Sequence, residues 1–180
     1  MTKEITIRPL DWMHVQDVYK PKQSFKVYGR LIPEFKDDKW VWKEELFENI
    51  YDKDYPGLEL DYSQYINSRK RAIFLAYIDN ECVGRIILRE NWNKYCYVED
   101  IAVARDYRRM GIGKKLIETA VKWAKEQKMP GFMLETQDVN LAACKLYASC
   151  GFILGGVDTM LYGNGPNKGE KALFWYMKFE

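Results

Sequence analysis

Alternating hydrophobic and polar residues predict a series of short strands along the chain. Glu4–Pro9 alternates in this way, as expected of a half-buried strand. Two longer apolar stretches, Ala72–Ile78 and Cys82–Arg89, are separated by Asp79-Asn80, a dipeptide that suits the tight turn of a β-hairpin. Four more strands are predicted on the same grounds: Tyr97–Ala104, Phe132–Thr136, Phe152–Val157 and Ala172–Phe179.

Apolar residues that recur every three to four positions predict helices between these strands. In the second half of the chain one helix begins near Ile112 and ends before Pro130-Gly131, and another covers Leu141–Cys150. The first half is predicted to contain a helix over Asp11–Val18, a loop over Lys20–Gly29, an amphipathic helix over Asp38–Tyr51 and a short helical turn within Tyr62–Arg69.

The predicted order of elements is β-α-α-β-β-β-α-β-α-β-β, which indicates an α/β fold around one twisted sheet. At 180 residues, 47% of them hydrophobic and 30% charged, the chain is long enough to bury one core. We therefore predict a single domain over residues 1–180.

Charge and hydropathy exclude several classes of partner. The 28 basic residues are balanced by 26 acidic ones, for a net charge of +2, so no nucleic-acid partner is expected. No apolar run approaches the length of a membrane span, and the first ten residues lack the apolar stretch of a signal peptide. The protein is expected to stay in the cytoplasm, away from membranes.

Histidine and cysteine usage narrows the possible chemistry. His14 is the only histidine, and the four cysteines form no CxxC pair, so neither a histidine-based triad nor a metal site is expected. Any general base must then be a carboxylate or a water molecule.

A basic, glycine-containing turn precedes the helix that begins near Ile112. Arg108–Gly113 reads RRMGIG, and backbone N–H groups at a helix N-terminus bind anions such as phosphate. A Walker A loop requires Ser or Thr where Lys115 stands, and a dinucleotide fingerprint requires glycine at Leu116. The turn therefore fits a different phosphate loop.

The pattern Arg-x-x-Gly-x-Gly after a strand resembles the pyrophosphate loop of the GCN5-related N-acetyltransferases (GNAT). A second block also resembles this family, with Asn140, Tyr147 and Gly151-Phe152 at the family's spacing. The resemblance implies a single-domain α/β GNAT fold, with a mixed, mostly antiparallel twisted sheet flanked by helices and an acetyl-CoA-binding core at about residues 72–180. The residues that it assigns to acetyl-CoA are Ile101, Ala102, Val103, Arg108, Arg109, Met110, Gly111, Ile112, Gly113, Lys114, Asn140 and Tyr147.

Acetyl transfer to an amine needs a base, because an exposed alkyl amine has a pKa of about 10.4. Glu99 and Glu135 are equal candidates, and Asp100 is either a substrate-binding or a structural carboxylate. Glu99 and Asp100 are adjacent in a predicted strand, so their side chains are expected to point to opposite faces unless a bulge intervenes. Each of these carboxylates could alternatively form an internal ion pair, with Arg85, Arg89 or Lys94.

The resemblance also implies that Tyr147 donates a proton to the leaving thiolate, and that backbone N–H groups near Ile101 and Val103 stabilise the oxyanion. Tyr147 could alternatively be a core aromatic of an amphipathic helix. Cys96 adjoins the central strand and is a candidate acetyl carrier. Since no histidine is placed to activate it, direct transfer is the favoured route.

Further stretches, among them Asn91–Val103 and Leu134–Asp138, look like the streptothricin acetyltransferases, which acetylate the β-lysine moiety of a polycationic antibiotic. This resemblance implies a small cationic amine as acceptor and antibiotic resistance as outcome. Carboxylates and aromatic rings together can hold such a cation. The candidates for substrate binding are Glu99, Asp100, Glu135, Asp158, Tyr97 and Trp175.

Two other functions stay open at this point. A protein N-terminal or polyamine acetyltransferase would use the same Glu135 and Tyr147, and a non-catalytic acetyl-CoA sensor would bind the cofactor without transfer. A homodimer is plausible because the predicted sheet has a free edge and aromatic residues are abundant.

Overall fold

The computed structural model describes residues 4–22 and 24–179. Its nine strands are β1 Thr6–Pro9, β2 Phe25–Lys36, β3 Lys39–Lys53, β4 Arg71–Ile78, β5 Glu81–Glu90, β6 Cys96–Val103, β7 Gly131–Gln137, β8 Ile153–Asp158 and β9 Ala172–Lys178. The α-helices are α1 Ile112–Glu126 and α2 Leu141–Ser149, and short 3₁₀ helices cover Val15–Tyr19, Tyr62–Gln64 and Arg105–Tyr107. None of the helices formed by the described residues is both long and apolar enough to cross a membrane.

The described chain divides into two compact units. The first contains the residues before Ser24 together with Tyr55–Phe132 and Phe179, and the second contains Ser24–Asp54 and Met133–Lys178. Each unit has its own strands and one α-helix.

In the first unit the strands are neighbours in the order β1-β4-β5-β6, and each pair is antiparallel. Asp79-Asn80 joins β4 to β5 with positive φ angles at both residues, as the predicted hairpin turn requires. Helix α1 packs on β4, β5 and β6 through its buried face, which includes Leu116 and Ile117. A Cβ atom at Gly84 would come within 3.0 Å of the Ile112 side chain, so this glycine lets the start of α1 lie close to β5.

In the second unit β9 lies between β7 and β8, and β8 pairs with β9 antiparallel. Strands β2 and β3 form a long antiparallel hairpin. This hairpin contacts the rest of the unit through β2 on α2 and β3 on β8. Midway along β2, the Leu31 N–H donates to the Asp138 backbone carbonyl at 2.9 Å, and the Asp138 carboxylate lies 3.6 Å from Arg30 Nε.

The helix predicted over Asp38–Tyr51 is wrong, because this segment forms strand β3. The apolar residues Trp42, Leu46 and Ile50 are four positions apart, a spacing that fits one side of a strand as well as one face of a helix. In the structure Leu46 and Ile50 are exposed, so they do not form the buried stripe of a helix. Asp37-Asp38 is a two-residue turn with φ angles of 50° and 57°, which suits a β-hairpin.

Two further predictions for the first half need correction. The loop predicted over Lys20–Gly29 ends earlier, since β2 begins at Phe25 and buries alternate residues. The helix predicted over Asp11–Val18 is only a 3₁₀ helix at Val15–Tyr19. Its Tyr19 is followed closely by Pro21, whose missing N–H and fixed φ oppose a longer helix. The predicted turn in Tyr62–Arg69 is confirmed as the 3₁₀ helix Tyr62–Gln64.

Candidate active site

Strand β6 contains a β-bulge at Glu99. Asp100 lies opposite Ile87 and Val98 lies opposite Leu88, so Glu99 is an extra residue without a partner in the β5 register. Residues that lie opposite each other share a face of the sheet, which places Asp100 on the face of Ile87. Glu99 contacts Arg89, which lies two residues after Ile87 on β5 and therefore on the same face. The two carboxylates thus share one face of the sheet, which is the exception that a bulge allows.

Glu99 is held at both carboxylate oxygens. Arg89 Nε donates to Oε1 at 3.0 Å, and the Tyr65 hydroxyl donates to Oε2 at 2.7 Å. The Arg89 guanidinium also lies 4.6 Å from the centre of the Tyr97 ring and donates to Asn91 Oδ1 at 2.8 Å. The Glu99 side chain nevertheless remains 27% exposed, so the carboxylate can still be reached by a ligand.

Asp100 lies in a buried ion pair with Arg85. Arg85 Nε donates to Asp100 Oδ2 at 2.6 Å, and the two side chains are 3% and 7% exposed. Arg85 also donates to the backbone carbonyls of Val18 and Pro21. The Arg85–Asp100 ion pair therefore connects the 3₁₀ helix Val15–Tyr19 to the sheet. Burial raises the pKa of the Asp100 carboxyl, and the Arg85 charge opposes this rise. These contacts favour the structural alternative for Asp100.

The basic turn after β6 adopts the conformation of an anion-binding loop. Arg109 and Gly111 have positive φ angles of 67° and 82°, and within the described chain no side chain caps the start of α1 at Gly111. The first N–H groups of α1 therefore point out of the helix end. A Cβ atom at Gly111 would meet no atom within 4 Å, so the space beside this residue is open.

Arg108 is fixed beside this turn. Its Nε donates to the carbonyl of Val103, the last residue of β6, at 2.9 Å. Burial lowers the pKa of its guanidinium, with a smaller contribution from Arg105. Hydrogen bonds from arginine to phosphate oxygens are charge-assisted and strong, so the loop Arg108–Lys114 suits a pyrophosphate group.

Glu135 lies on β7 in the second unit, and burial raises the pKa of its carboxyl. The Tyr162 hydroxyl, from the loop between β8 and β9, donates a hydrogen bond to Glu135 Oε1. A carboxylate with a raised pKa is better suited to accept a proton near neutral pH. These properties match those of a general base.

Tyr147 is buried on α2, and its ring packs on Phe152 and Trp175, with centroids 5.7 and 6.4 Å apart. Trp175 is 1% exposed, which favours packing over direct contact with a substrate. Asn140 caps α2, since its side chain accepts from the Ala143 N–H at 3.2 Å, as a residue at this position should.

The last two candidate residues are Asp158, which lies beside a turn, and Cys96, which lies in the core. Asp158 ends β8 and accepts hydrogen bonds from the N–H groups of Met160 and Leu161 at 2.7 and 2.9 Å, so it shapes the following turn. Cys96 is fully buried, and burial raises the pKa of its thiol, which suppresses the nucleophilic thiolate.

Sequence reasoning missed Tyr65 as the hydroxyl donor to Glu99, and it did not predict that the Tyr162 hydroxyl donates to Glu135. Both tyrosines lie outside regular strands and α-helices. The available signal was weak: each carboxylate lies mid-strand in an apolar sheet and therefore needs a partner.

The chain matches the family described as Acetyltransferase (GNAT) family over residues 35–152. It is 47% identical to streptothricin acetyltransferase A of Bacillus subtilis (strain 168) over 173 residues, which cover 96% of this chain and 99% of that protein.

Solved structures agree with this similarity. A protein from Bacillus anthracis str. Ames, assigned as a streptothricin acetyltransferase and solved in complex with acetyl coenzyme A, is 41% identical with a TM-score of 0.90, covering 98% of this chain and 100% of that one. A nourseothricin acetyltransferase is 26% identical with a TM-score of 0.81, covering 97% and 98% of the two chains. The predicted fold class is confirmed: an α/β fold with a mixed, mostly antiparallel sheet flanked by helices.

Proposed function

Since the chain belongs to the acetyltransferase (GNAT) family and is an acetyl-CoA-dependent N-acetyltransferase, we propose that it acetylates the β-lysine amine of a streptothricin-type antibiotic. The observation that carries this proposal is the 47% identity to a streptothricin acetyltransferase along almost the whole of both chains. Acetylation removes a positive charge from a polycation, and the outcome is antibiotic resistance.

The loop Arg108–Lys114 would hold the pyrophosphate, because it offers α1 N–H groups and the fixed Arg108 guanidinium. Asn140 and the strand residues Ile101, Ala102 and Val103 would bind the remainder of the molecule. Bound acetyl-CoA supplies the activated acetyl group.

Glu135 would act as the base. Its raised pKa lets the carboxylate accept a proton, directly or through one water, as the amine attacks. The N–H groups near Ile101 and Val103 would stabilise the negative charge that develops on oxygen. Tyr147 would give a proton to the leaving sulfur. Burial of Cys96 supports direct transfer without an acetylated cysteine.

Glu99 would bind the acceptor amine. Its carboxylate is ion-paired and partly exposed, and it adjoins the Tyr97 ring through Arg89, so it offers oxygen acceptors to an ammonium group. Asp158 is a second candidate for this contact, and we assign Asp100 and Trp175 to structural roles because both side chains are buried. A cytoplasmic location and a homodimer remain predictions from the sequence.

The test is release of CoA thiol from acetyl-CoA in the presence of streptothricin, spermidine or an N-terminal peptide, each offered separately. We expect saturable turnover with streptothricin, and mass spectrometry should place the acetyl group on β-lysine. Turnover restricted to spermidine or the peptide would replace the proposed acceptor. Tight CoA binding without turnover of any amine would instead indicate a sensor.

A further inference from the structure

Tyr65 has a buried ring and a hydroxyl group that makes a polar contact. Tyr65 is 7% exposed and belongs to a hydrophobic cluster with Ile73, Leu75 and Ile87. Its hydroxyl reaches out of this cluster to Glu99 Oε2 at 2.7 Å. The packed ring therefore fixes the point from which the hydroxyl donates its hydrogen bond.

Tyr65 is itself held by a second arginine. The Arg71 guanidinium carbon lies 5.5 Å from the centre of the Tyr65 ring, and Nη1 lies 3.5 Å from the hydroxyl oxygen. Burial raises the pKa of Tyr65 to about 12, and the Glu99 hydrogen bond adds to this rise. The hydroxyl thus keeps its proton at neutral pH and acts as a donor.

The two donors to Glu99 approach from different elements. Arg89 belongs to β5 and occupies Oε1, whereas Tyr65 follows the 3₁₀ helix Tyr62–Gln64 and occupies Oε2. Glu99 itself is the bulged residue of β6. Three separate segments therefore converge on one carboxylate.

We propose that Tyr65 is a positioning residue that orients the Glu99 carboxylate for the acceptor ammonium group. This inference rests on the proposed function, in which Glu99 binds the amine. An ionised carboxylate has about four lone-pair sites, so the two bonds from Tyr65 and Arg89 leave acceptor capacity for a ligand. A carboxylate that is already held in place loses less conformational freedom when the ligand binds.

The test compares Tyr65→Phe with Tyr77→Phe in steady-state kinetics. Tyr77 is a matched control: it is also 7% exposed in the same hydrophobic cluster, and its hydroxyl also donates to a carboxylate at 2.7 Å, but to Asp17. We expect Tyr65→Phe to raise the KM for the amine roughly 3- to 10-fold, the size of effect that follows from losing one ordinary intramolecular hydrogen bond. The kcat and the KM for acetyl-CoA should stay within about twofold of wild type, and Tyr77→Phe should leave both KM values unchanged.

A double variant separates positioning from general damage to the fold. If Tyr65 acts through Glu99, Tyr65→Phe should raise the KM no further in a Glu99→Gln background, whereas independent effects would add. An unchanged amine KM in Tyr65→Phe, or the same rise in Tyr77→Phe, would overturn the inference.

The proposed function is tested separately, by measuring whether the wild-type protein acetylates streptothricin. If wild-type enzyme does not acetylate streptothricin, the proposed acceptor is wrong, and the Tyr65 comparison is made with whichever of spermidine or the peptide is acetylated. The same KM criteria then decide whether Tyr65 positions Glu99.

Discussion

Glu99 and Asp100 are adjacent in sequence, yet both lie on the same face of the sheet and each pairs with a different arginine of β5. Arg89 binds the partly exposed Glu99, and Arg85 binds the buried Asp100. The bulge at Glu99 makes this arrangement possible. Two neighbouring carboxylates can therefore serve a binding role and a structural role without competing for the same partner.

Asp100→Asn should destabilise the protein strongly. The substitution removes the partner of a buried guanidinium that also bonds Val18 and Pro21, and an uncompensated buried charge costs about 3–5 kcal/mol. Urea denaturation followed by circular dichroism measures this loss. Glu99→Gln is the control: its pair with Arg89 is about 30% exposed, so the loss should be about 1 kcal/mol or less. Equal losses in the two variants would contradict the structural role of Asp100.

Glu135→Gln should abolish the acidic limb of the pH–rate profile. In wild type, kcat should fall as the pH drops through the raised pKa of Glu135, because the protonated carboxyl cannot act as a base. The variant should lose about 10²- to 10⁴-fold in kcat, the usual contribution of a general base. The profile is measured with streptothricin and saturating acetyl-CoA. If Glu99→Gln instead removes the limb while Glu135→Gln retains it, the two assignments must be exchanged.

The same substitution should stabilise the fold at neutral pH. Burial raises the pKa of Glu135 in the folded protein above its value in the unfolded chain. The contribution of Glu135 to the free energy of unfolding is therefore fully present below the unfolded pKa, and it is lost as the pH rises through the folded pKa. The difference in Tm between Glu135→Gln and wild type should therefore grow in favour of the variant from pH 4 to pH 8. Differential scanning calorimetry across this range tests the sign, and a difference that shrinks with pH would refute it.

Tyr147→Phe should lower kcat with little change in affinity for CoA. The substitution keeps the ring that packs on Phe152 and Trp175, so the fold should be retained, but it removes the proton donor to the leaving sulfur. Single-turnover kinetics and calorimetric titration with CoA separate the two effects. Wild-type turnover in Tyr147→Phe would remove this residue from the mechanism and leave it a role in packing.

Local signals in the sequence were sufficient for the elements from β4 onward. The Asn140 side chain caps α2, Gly111 precedes α1 with a left-handed φ, and Asp79-Asn80 joins β4 to β5. Each of these features depends on one or two residues, so each can be recognised from the sequence. The pattern Arg108–Gly113, which predicts a phosphate loop, is equally local.

Features that depend on distant partners could not be predicted. A bulge in β6 is left open by the sequence, but its position at Glu99 is a property of the register between two strands, and no residue within β6 specifies that position. Tyr65 lies 34 positions before Glu99, so their hydrogen bond has no signature in sequence spacing. The spacing of four residues in β3 satisfies the period of a helix as well as that of a strand, so the sequence predicts a helix there. In the structure β3 pairs with β2, and Trp42 packs on Trp175.

Gly111→Ala should weaken acetyl-CoA binding and cost about 1 kcal/mol of stability, as a left-handed conformation does in a residue with a side chain. The added Cβ would meet no atom within 4 Å, so backbone strain at φ 82° is the cause, and relief of that strain would misplace the first N–H groups of α1. The KM for acetyl-CoA and the urea midpoint measure the two effects. Gly165→Ala is the matched control, because a Cβ there also meets nothing and its backbone is not left-handed, so both quantities should stay at wild-type values. A normal KM in Gly111→Ala would mean that this turn does not hold the pyrophosphate.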